Sequence, residues 1–159
     1  MEVIIDTPDE SNLRKYIHER FDKFIDTVNV KMIERLQYLG ELCVKHAREI
    51  PAAQGFTDRT GNLRSSIGYT VFMNGNAVHE GYEVTGQGNE GEQKGKELAR
   101  RVAREHPKGI LLVVTAGMGY ALALESKGRD VLTSAEQLAA KELPQMLDKL
   151  KRNINQALK

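Results

Sequence analysis

Apolar residues recur three or four positions apart over the first third of the chain, the spacing that places them on one face of an α-helix. The stripe ends by Ile50, because Pro51 disfavours helical geometry at the residue before it. Its members are Leu13, Ile17, Phe21, Phe24, Val28, Met32, Leu36, Leu39, Cys43, Ala47 and Ile50. The pattern predicts a long N-terminal helix, and the β-branched residues within 27–30 leave open a bend that divides it into two.

The segment Thr7-Pro8-Asp9-Glu10 carries the signature of a helix N-terminus. Thr7 suits the N-cap, Pro8 suits the first helical position, and Glu10 can complete a capping box. The residues before it, 1–6, are predicted to form a short strand.

The middle of the chain has the pattern of a β-hairpin followed by a polar, glycine-rich stretch. Two β-rich runs, 68–73 and 76–84, flank Asn74-Gly75, a dipeptide favoured in two-residue hairpin turns. Five of the fifteen residues from Gly81 to Gly95 are glycine. We expect residues 85–96 to form a flexible, solvated insert, since they offer little apolar surface to bury.

A helix and a strand are predicted after this insert. Residues 96–107 have a helical pattern that ends at Pro107. Residues 109–117 form a nearly continuous apolar run, typical of a strand that is central in its sheet or well covered. The glycines of Gly117-Met118-Gly119 fit a tight turn that needs a positive φ, since the complete glycine-rich phosphate motifs are absent.

Two further helices are predicted towards the C-terminus. Residues 120–128 form a short helix with Gly128 at the position just past its end. The last helix begins at Thr133, whose hydroxyl forms a capping box with Glu136, and we expect a kink at Pro144.

The order of these elements predicts an α+β fold in which an antiparallel sheet of three or four strands packs against the long N-terminal helix (or two helices) and the long C-terminal helix. Parallel βαβ winding fits poorly, because strands and helices do not alternate. A length of 159 residues suits one domain over 1–159.

Composition excludes several classes of protein. Lys and Arg number 23 and Asp and Glu number 22, so the chain is not a strongly basic nucleic-acid binder. The single cysteine, Cys43, permits neither an internal disulfide nor a cysteine-based zinc site and is expected to be a small buried apolar residue. No apolar run approaches the roughly 20 residues that span a bilayer, and the acidic start lacks a signal peptide, so we expect no membrane association and a cytoplasmic chain.

Candidate catalytic chemistry is sparse. His18, His46, His79 and His106 are scattered without metal-ligand spacing, so no metal or cofactor is expected. Ser65 and Ser66 lack the G-x-S-x-G context of a nucleophile and are expected to bond backbone groups where a helical turn enters a strand.

A basic helix face is the one candidate for nucleic-acid contact. It consists of Arg100, Arg101, Arg104 and Lys108. Pairing of Arg101 with Glu97 and Glu105, each four positions away, would make it an ordinary solvated face.

Two short motifs carry a resemblance to a known family. The first is Thr60-Gly61-Asn62-Leu63-Arg64-Ser65-Ser66-Ile67, and the second is Tyr120-Ala121-Leu122-Ala123-Leu124-Glu125 followed by Gly128. Their order, with a hairpin, a strand and a C-terminal helix, resembles the gene-product-ten-like family of tailed-phage structural proteins over about residues 55–150. The sequence departs from the family pattern after the glutamate, where Ser126-Lys127-Gly128-Arg129 stands. The motif positions are Thr60, Gly61, Leu63, Arg64, Ser66, Ile67, Tyr120, Ala121, Glu125 and Gly128.

The resemblance implies a non-enzymatic virion assembly protein of a phage or prophage. Such a protein forms a ring between head and tail, contacts portal or head-completion proteins and tail-tube proteins, and moves from the bacterial cytoplasm into the virion neck or tail. We expect no catalytic residues and no cofactor.

The residues of the motifs suggest how they would serve that role. Gly61 permits a tight turn capped by Thr60 or Asp58, and Leu63 and Ile67 anchor the turn in the core. Arg64 is expected to point outward to a carboxylate of a neighbouring subunit.

In the second motif, Tyr120 and Leu124 are expected to pack against the sheet, with Glu125 near solvent. Two alternatives stay open. One is a small DNA- or protein-binding module that uses the face from Arg100 to Lys108, and the other is a hydrolase that uses Ser66, a histidine and Glu125.

Overall fold

The computed structural model describes residues 1, 3 and 9–159. They form five helices and three strands in the order α1 (Glu10–Glu49), α2 (Asn62–Ser66), β1 (Ile67–Met73), β2 (Asn76–Gly81), α3 (Asn89–Glu105), β3 (Ile110–Ala116), α4 (Ala121–Ser126) and α5 (Thr133–Ala157). The predicted α+β class, with a sheet of three antiparallel strands, is confirmed.

The sheet has the order β2-β1-β3, so β1 lies in its centre. Asn74 and Gly75 both have positive φ, 50° and 81°, as a two-residue hairpin turn of the I′ type requires. The predicted hairpin is thereby confirmed. Of the two alternatives predicted for the apolar strand now seen as β3, central in the sheet or well covered, the structure shows the second. The strand lies at an edge, and its apolar composition reflects contact with α1 and α3.

The N-terminal helix is one continuous helix of 40 residues, with no break at 27–30. Its N-cap is Asp9, whose carboxylate accepts a hydrogen bond from the backbone N–H of Ser11 at 3.2 Å. The helix therefore begins at Glu10, later than predicted. Thr7 itself, and most of the strand predicted over 1–6, lie outside the described residues.

The core lies on both faces of the sheet. On one face, α1, α2, α4 and α5 enclose a larger cluster, which includes Leu39, Cys43, Leu63, Ile67 and Val131. On the other face, α3 packs through Ala99 and Ala103 against Phe72 and Val113. Cys43 is buried, as predicted, and its burial raises the pKa of the thiol.

Helix α3 corrects the prediction of a flexible insert over 85–96, because the residues from Asn89 onward are already helical. Its glycines are packing points. A Cβ on Gly91 would lie 1.9 Å from the carbonyl oxygen of Asn62, and one on Gly95 would lie 2.6 Å from that of Ser66. Gly117 packs against α3 in the same way and does not have the positive φ expected of it.

Helix α5 lies antiparallel to α1. His46 Nε2 is 2.9 Å from Ser134 Oγ at the start of α5, whereas Leu36 shares a groove with Leu143 further along it. Helix α5 continues through Pro144 to Ala157. The two long helices therefore stabilise each other on the same side of the sheet.

Candidate docking surfaces

The first motif builds a tight turn into α2. Gly61 has a φ of +82°, and a Cβ there would lie 1.9 Å from the carbonyl oxygen of Thr85. The Asp58 carboxylate accepts hydrogen bonds from the backbone N–H groups of Gly61 at 3.0 Å and Arg64 at 2.7 Å. The hydroxyl of Thr60 accepts one from Asn62 at 3.3 Å. Both predicted caps are present, and glycine is required at Gly61.

The buried side of α2 fixes this turn in the core. Leu63 and Ile67 are both fully buried, which confirms them as anchors. Ser66 donates its hydroxyl hydrogen bond to the carbonyl of Leu63 at 2.8 Å, and the Ser65 hydroxyl accepts one from the N–H of Thr85 at 2.7 Å. The serines serve backbone groups, as predicted.

Arg64 does not point outward, contrary to the prediction. Its guanidinium donates to the carbonyl of Arg48 and lies 5.2 Å from the ring centre of Phe56. Arg48 in turn donates to the carbonyl of Ile67 at 3.3 Å and to the Glu83 carboxylate at 3.0 Å. The two arginines tie the end of α1 to the hairpin, so Arg64 is engaged within its own chain.

Glu125 of the second motif caps α5. Its carboxylate accepts hydrogen bonds from the N–H groups of Val131, Leu132 and Thr133 at 3.0, 2.5 and 3.1 Å, and from the Thr133 hydroxyl at 2.7 Å. The predicted capping box of Thr133 with Glu136 is therefore wrong, whereas Glu125 is half-buried and stays near solvent as expected. Burial by itself would raise the pKa of Glu125, but these hydrogen bonds outweigh it and leave that pKa below its usual value.

The residues around Glu125 complete a short supporting unit. Gly128 has a φ of +74° and ends α4 with hydrogen bonds of the Schellman type, from Gly128 to Glu125 and from Arg129 to Leu124. Ala121 is buried, whereas Tyr120 is 44% exposed. The expectation that Tyr120 packs against the sheet is therefore wrong, and its ring is available at the surface.

The basic face of α3 is only partly neutralised. Arg100 forms an ion pair with Glu80 at 2.9 Å. Among the described residues, no carboxylate lies within ion-pair distance of Arg101 or Arg104, so the predicted pairing of Arg101 along its own helix does not form. Both of these side chains and Lys108 are exposed.

A polar pocket of about 490 Å³ lies between α1 and the hairpin. The Tyr69 hydroxyl is 3.2 Å from the Glu41 carboxylate and 3.1 Å from His79 Nδ1, and the Tyr69 and His79 rings stack with centres 5.7 Å apart. Burial, with the nearby charge of Glu41, raises the pKa of Tyr69, which keeps the phenol protonated. Sequence reasoning missed this cluster, although the hairpin register places Tyr69 and His79 on neighbouring strands.

An open apolar groove of about 720 Å³ runs between the free edge of β3 and α5. We call it the apolar groove. Its lining comes from α1, β3, α4 and α5 and includes Leu36, Ile110, Leu112, Leu122, Leu132 and Leu143. The two charged residues on the lining, Glu125 and Glu136, are both acidic. The groove therefore combines exposed apolar surface with negative charge.

The first turns of α1 extend beyond the rest of the protein. All residues in 10–23, which we call the α1 tip, are exposed, and half-buried positions begin at Phe24. At 1.5 Å per residue the tip is about 21 Å long. Leu13, Ile17 and Phe21 lie on one side of it and are 49%, 55% and 61% exposed. An apolar stripe on a projecting helix is typical of a surface that binds a partner.

The side chains that a hydrolase would need are engaged elsewhere. Ser66 bonds within its own turn, His46 bonds Ser134, and Glu125 caps α5. Within the part of the chain that the structure describes, no three acidic, histidine or cysteine side chains form a group that could hold a metal ion.

Comparisons of the chain with family models, with curated proteins and with solved structures found no match. In 9–159, no helix combines the length and the apolar character needed to cross a bilayer.

Proposed function

We propose that this chain is a non-enzymatic assembly protein of a tailed phage or prophage, acting as a ring component that joins head and tail. It would assemble in the bacterial cytoplasm and remain in the neck or tail of the virion. The observation that carries the proposal is the α1 tip, because an exposed apolar stripe of this length calls for a protein partner.

The motif residues support the proposal through what they do in the fold. Glu125 caps the long helix α5, Arg64 braces the end of α1, and Asp58, just before the first motif, caps the short helix α2. All three hold backbone in place, as a scaffold that presents surfaces requires. The order of the two motifs along the chain also supports the proposal, because it resembles the order in phage connector proteins.

The proposed partners are portal or head-completion proteins on one side and tail-tube proteins on the other. The test is co-purification of the chain with the portal and tail-tube proteins encoded in its own genome, followed by electron microscopy of the complexes. We expect ring-shaped density at the end of a portal or tail tube. A chain that binds neither protein would contradict the proposal.

The matched pair of variants for this test lies on α1. Ile17→Glu places a charge in the apolar stripe, whereas Val30→Glu places one at a similarly exposed position, 53% exposed, on another side of the same helix. We expect Ile17→Glu to lower the recovered complex and Val30→Glu to leave it unchanged. Equal behaviour of the two variants would show that the stripe is not the docking surface.

A second candidate function is nucleic-acid binding through α3, which Arg101 and Arg104 favour because no ion pair to either one forms among the described residues. It predicts binding to duplex DNA that weakens steeply as salt rises. Arg101→Glu combined with Arg104→Glu should abolish that binding, and Lys151→Glu on α5 is the control. Absence of DNA binding by the wild-type chain at low salt would eliminate this candidate.

A further inference from the structure

The α1 tip and the apolar groove are two apolar surfaces that the rest of the described chain, residues 1, 3 and 9–159, leaves open. The tip presents Leu13, Ile17 and Phe21, and the groove presents apolar side chains beside the free edge of β3. The groove rim includes Leu122, which is 79% exposed. Burying either surface removes apolar area from water and favours association.

The chain's own tip cannot fill its own groove. Ile17 and Leu39, a residue of the groove lining, lie in the same continuous helix and are separated by 22 positions. At 1.5 Å per residue this places them about 33 Å apart along the helix axis. A tip that fills a groove must therefore come from another molecule.

The charges around the two surfaces are complementary. At 100° per residue, two arginines and one glutamate lie on or beside the apolar stripe of the tip: Arg14, which pairs with Glu10 at 3.9 Å, and Arg20. The opposite side carries Lys15, Glu19, Asp22 and Asp26, so the stripe side is the more positive one. The charged residues on the groove lining are both acidic. Basic residues beside the stripe would thus meet Glu136 at the groove, which fixes orientation as well as attraction.

We propose that the α1 tip of one copy docks in the apolar groove of the next copy. The contact uses two different surfaces, so it is heterologous and leaves a free tip and a free groove at the two ends of every open assembly. Repeated, it builds a closed ring or an open filament. This inference rests on the proposed assembly role and names the surfaces that join neighbouring subunits.

The test uses two charged variants and one control. Ile17→Glu damages the tip, Leu122→Glu damages the groove rim at an exposed position, and Val30→Glu is the matched control on α1. Circular dichroism and thermal unfolding should show that all three fold like the wild type. Sedimentation velocity over a wide range of concentrations then measures association.

We expect the wild type and Val30→Glu to associate as concentration rises. Ile17→Glu and Leu122→Glu should each associate at least about tenfold more weakly on their own. Mixed together they should form a one-to-one heterodimer, because the first keeps its groove and the second keeps its tip. Growth should stop at two chains, since both remaining ends are damaged.

Several outcomes would overturn the inference. A wild type that stays monomeric up to its solubility limit would do so, and so would a mixture that yields no heterodimer. Self-association of Leu122→Glu at wild-type strength would indicate contact between two tips. Stripe-dependent binding to anionic lipid vesicles without heterodimers would assign the tip to a membrane surface.

These results are separable from the test of the proposed function. If the variants form the heterodimer but the chain binds neither portal nor tail-tube protein, the subunit interface is supported and the head-to-tail role is contradicted. If the chain binds those proteins but the variants form no heterodimer, the head-to-tail role is supported and this subunit interface is contradicted.

Discussion

The two halves of α1 carry the same apolar spacing but have different surroundings. In the C-terminal half, Leu39, Cys43 and Ala47 are almost fully buried by the sheet and α5. In the N-terminal half, Ile17 and Phe21 are more than half exposed. The periodicity that builds a core in one half thus leaves a stripe without a partner in the other.

An apolar stripe therefore predicts that a helix face will be buried, but it does not identify the surface that buries it. Most helical stability comes from tertiary packing of the apolar face, so the tip lacks the support that the rest of α1 receives. We attribute the two halves to separate tasks, folding for the C-terminal half and docking for the tip. Four measurements test whether the two halves differ in this way.

The largest effect is expected from truncation of equivalent stripe residues in the two halves. Leu39→Ala should lower the free energy of unfolding by about 2–5 kcal/mol, because Leu39 is 1% exposed and its loss leaves a cavity. Phe21→Ala should change it by less than about 0.5 kcal/mol. Urea unfolding at low protein concentration measures both. A comparable loss at Phe21 would show that the tip is packed in the free chain.

The next effect concerns the contact of α1 with the sheet. A Cβ on Gly40 would lie 2.5 Å from ring atoms of Tyr69. Gly40→Ala should therefore lower the free energy of unfolding by about 1–3 kcal/mol through overpacking, although alanine favours helix. Lys15→Ala in the tip is the control and should be neutral or slightly stabilising. A stabilised Gly40→Ala chain would indicate a looser contact with Tyr69.

A smaller effect is expected at the start of α5, which covers the C-terminal half of α1. Glu125→Gln should lower the free energy of unfolding at neutral pH by about 1 kcal/mol, the usual value of a helix cap. Glu136→Gln, in the first turn of the same helix, is the control. Urea unfolding of the wild type and of both variants, at neutral and at acidic pH, measures the three free energies of unfolding.

The pH dependence of that difference has a definite sign. The pKa of Glu125 is lowered in the folded chain, so the carboxylate contributes its stability above the unfolded-state pKa of about 4.3. The contribution is lost as pH falls through the lower folded-state pKa. The gap between wild type and Glu125→Gln should therefore narrow in acid. A gap independent of pH would mean that the negative charge does not stabilise the cap.

The smallest effect is local and concerns fraying of the tip. Backbone amides in residues 14–23 should exchange with solvent faster than those in 36–47, because every residue of the tip is exposed. Asp9→Ala should accelerate exchange in the first turn without shifting the urea midpoint, since Asp9 caps only that turn. Equal protection of the two halves, measured by hydrogen exchange, would contradict the division.

Local features of the fold were predictable from the sequence. The Asn74-Gly75 turn, the positive φ at Gly61 and Gly128, and the burial of Leu63 and Ile67 follow from rules that act within a few residues. Non-local partners were not predictable in the same way. Glu125 caps a helix that begins eight residues later, and Arg64 bonds a carbonyl 16 residues earlier in the chain.

The glycines of α3 and Arg64 show most clearly where prediction from the sequence failed. The glycines of α3 suggested flexibility, but Gly91 and Gly95 allow the helix backbone to approach α2 closely. Arg64 suggested an outward charge, but the fold brings the carbonyl of Arg48 to it. Both predictions were wrong because glycine and arginine each occur at exposed positions and also in close contacts inside a protein.

The sequence by itself determined the α+β class, the hairpin and the long amphipathic helices, because periodicity and turn geometry are short-range properties. Only the tertiary structure decided that β3 is an edge strand, that Glu125 and Arg64 bond within the chain, and that the stripe of α1 is covered at one end only. These depend on which surfaces the folded chain brings together, and contacts between residues far apart in sequence leave no mark on local periodicity.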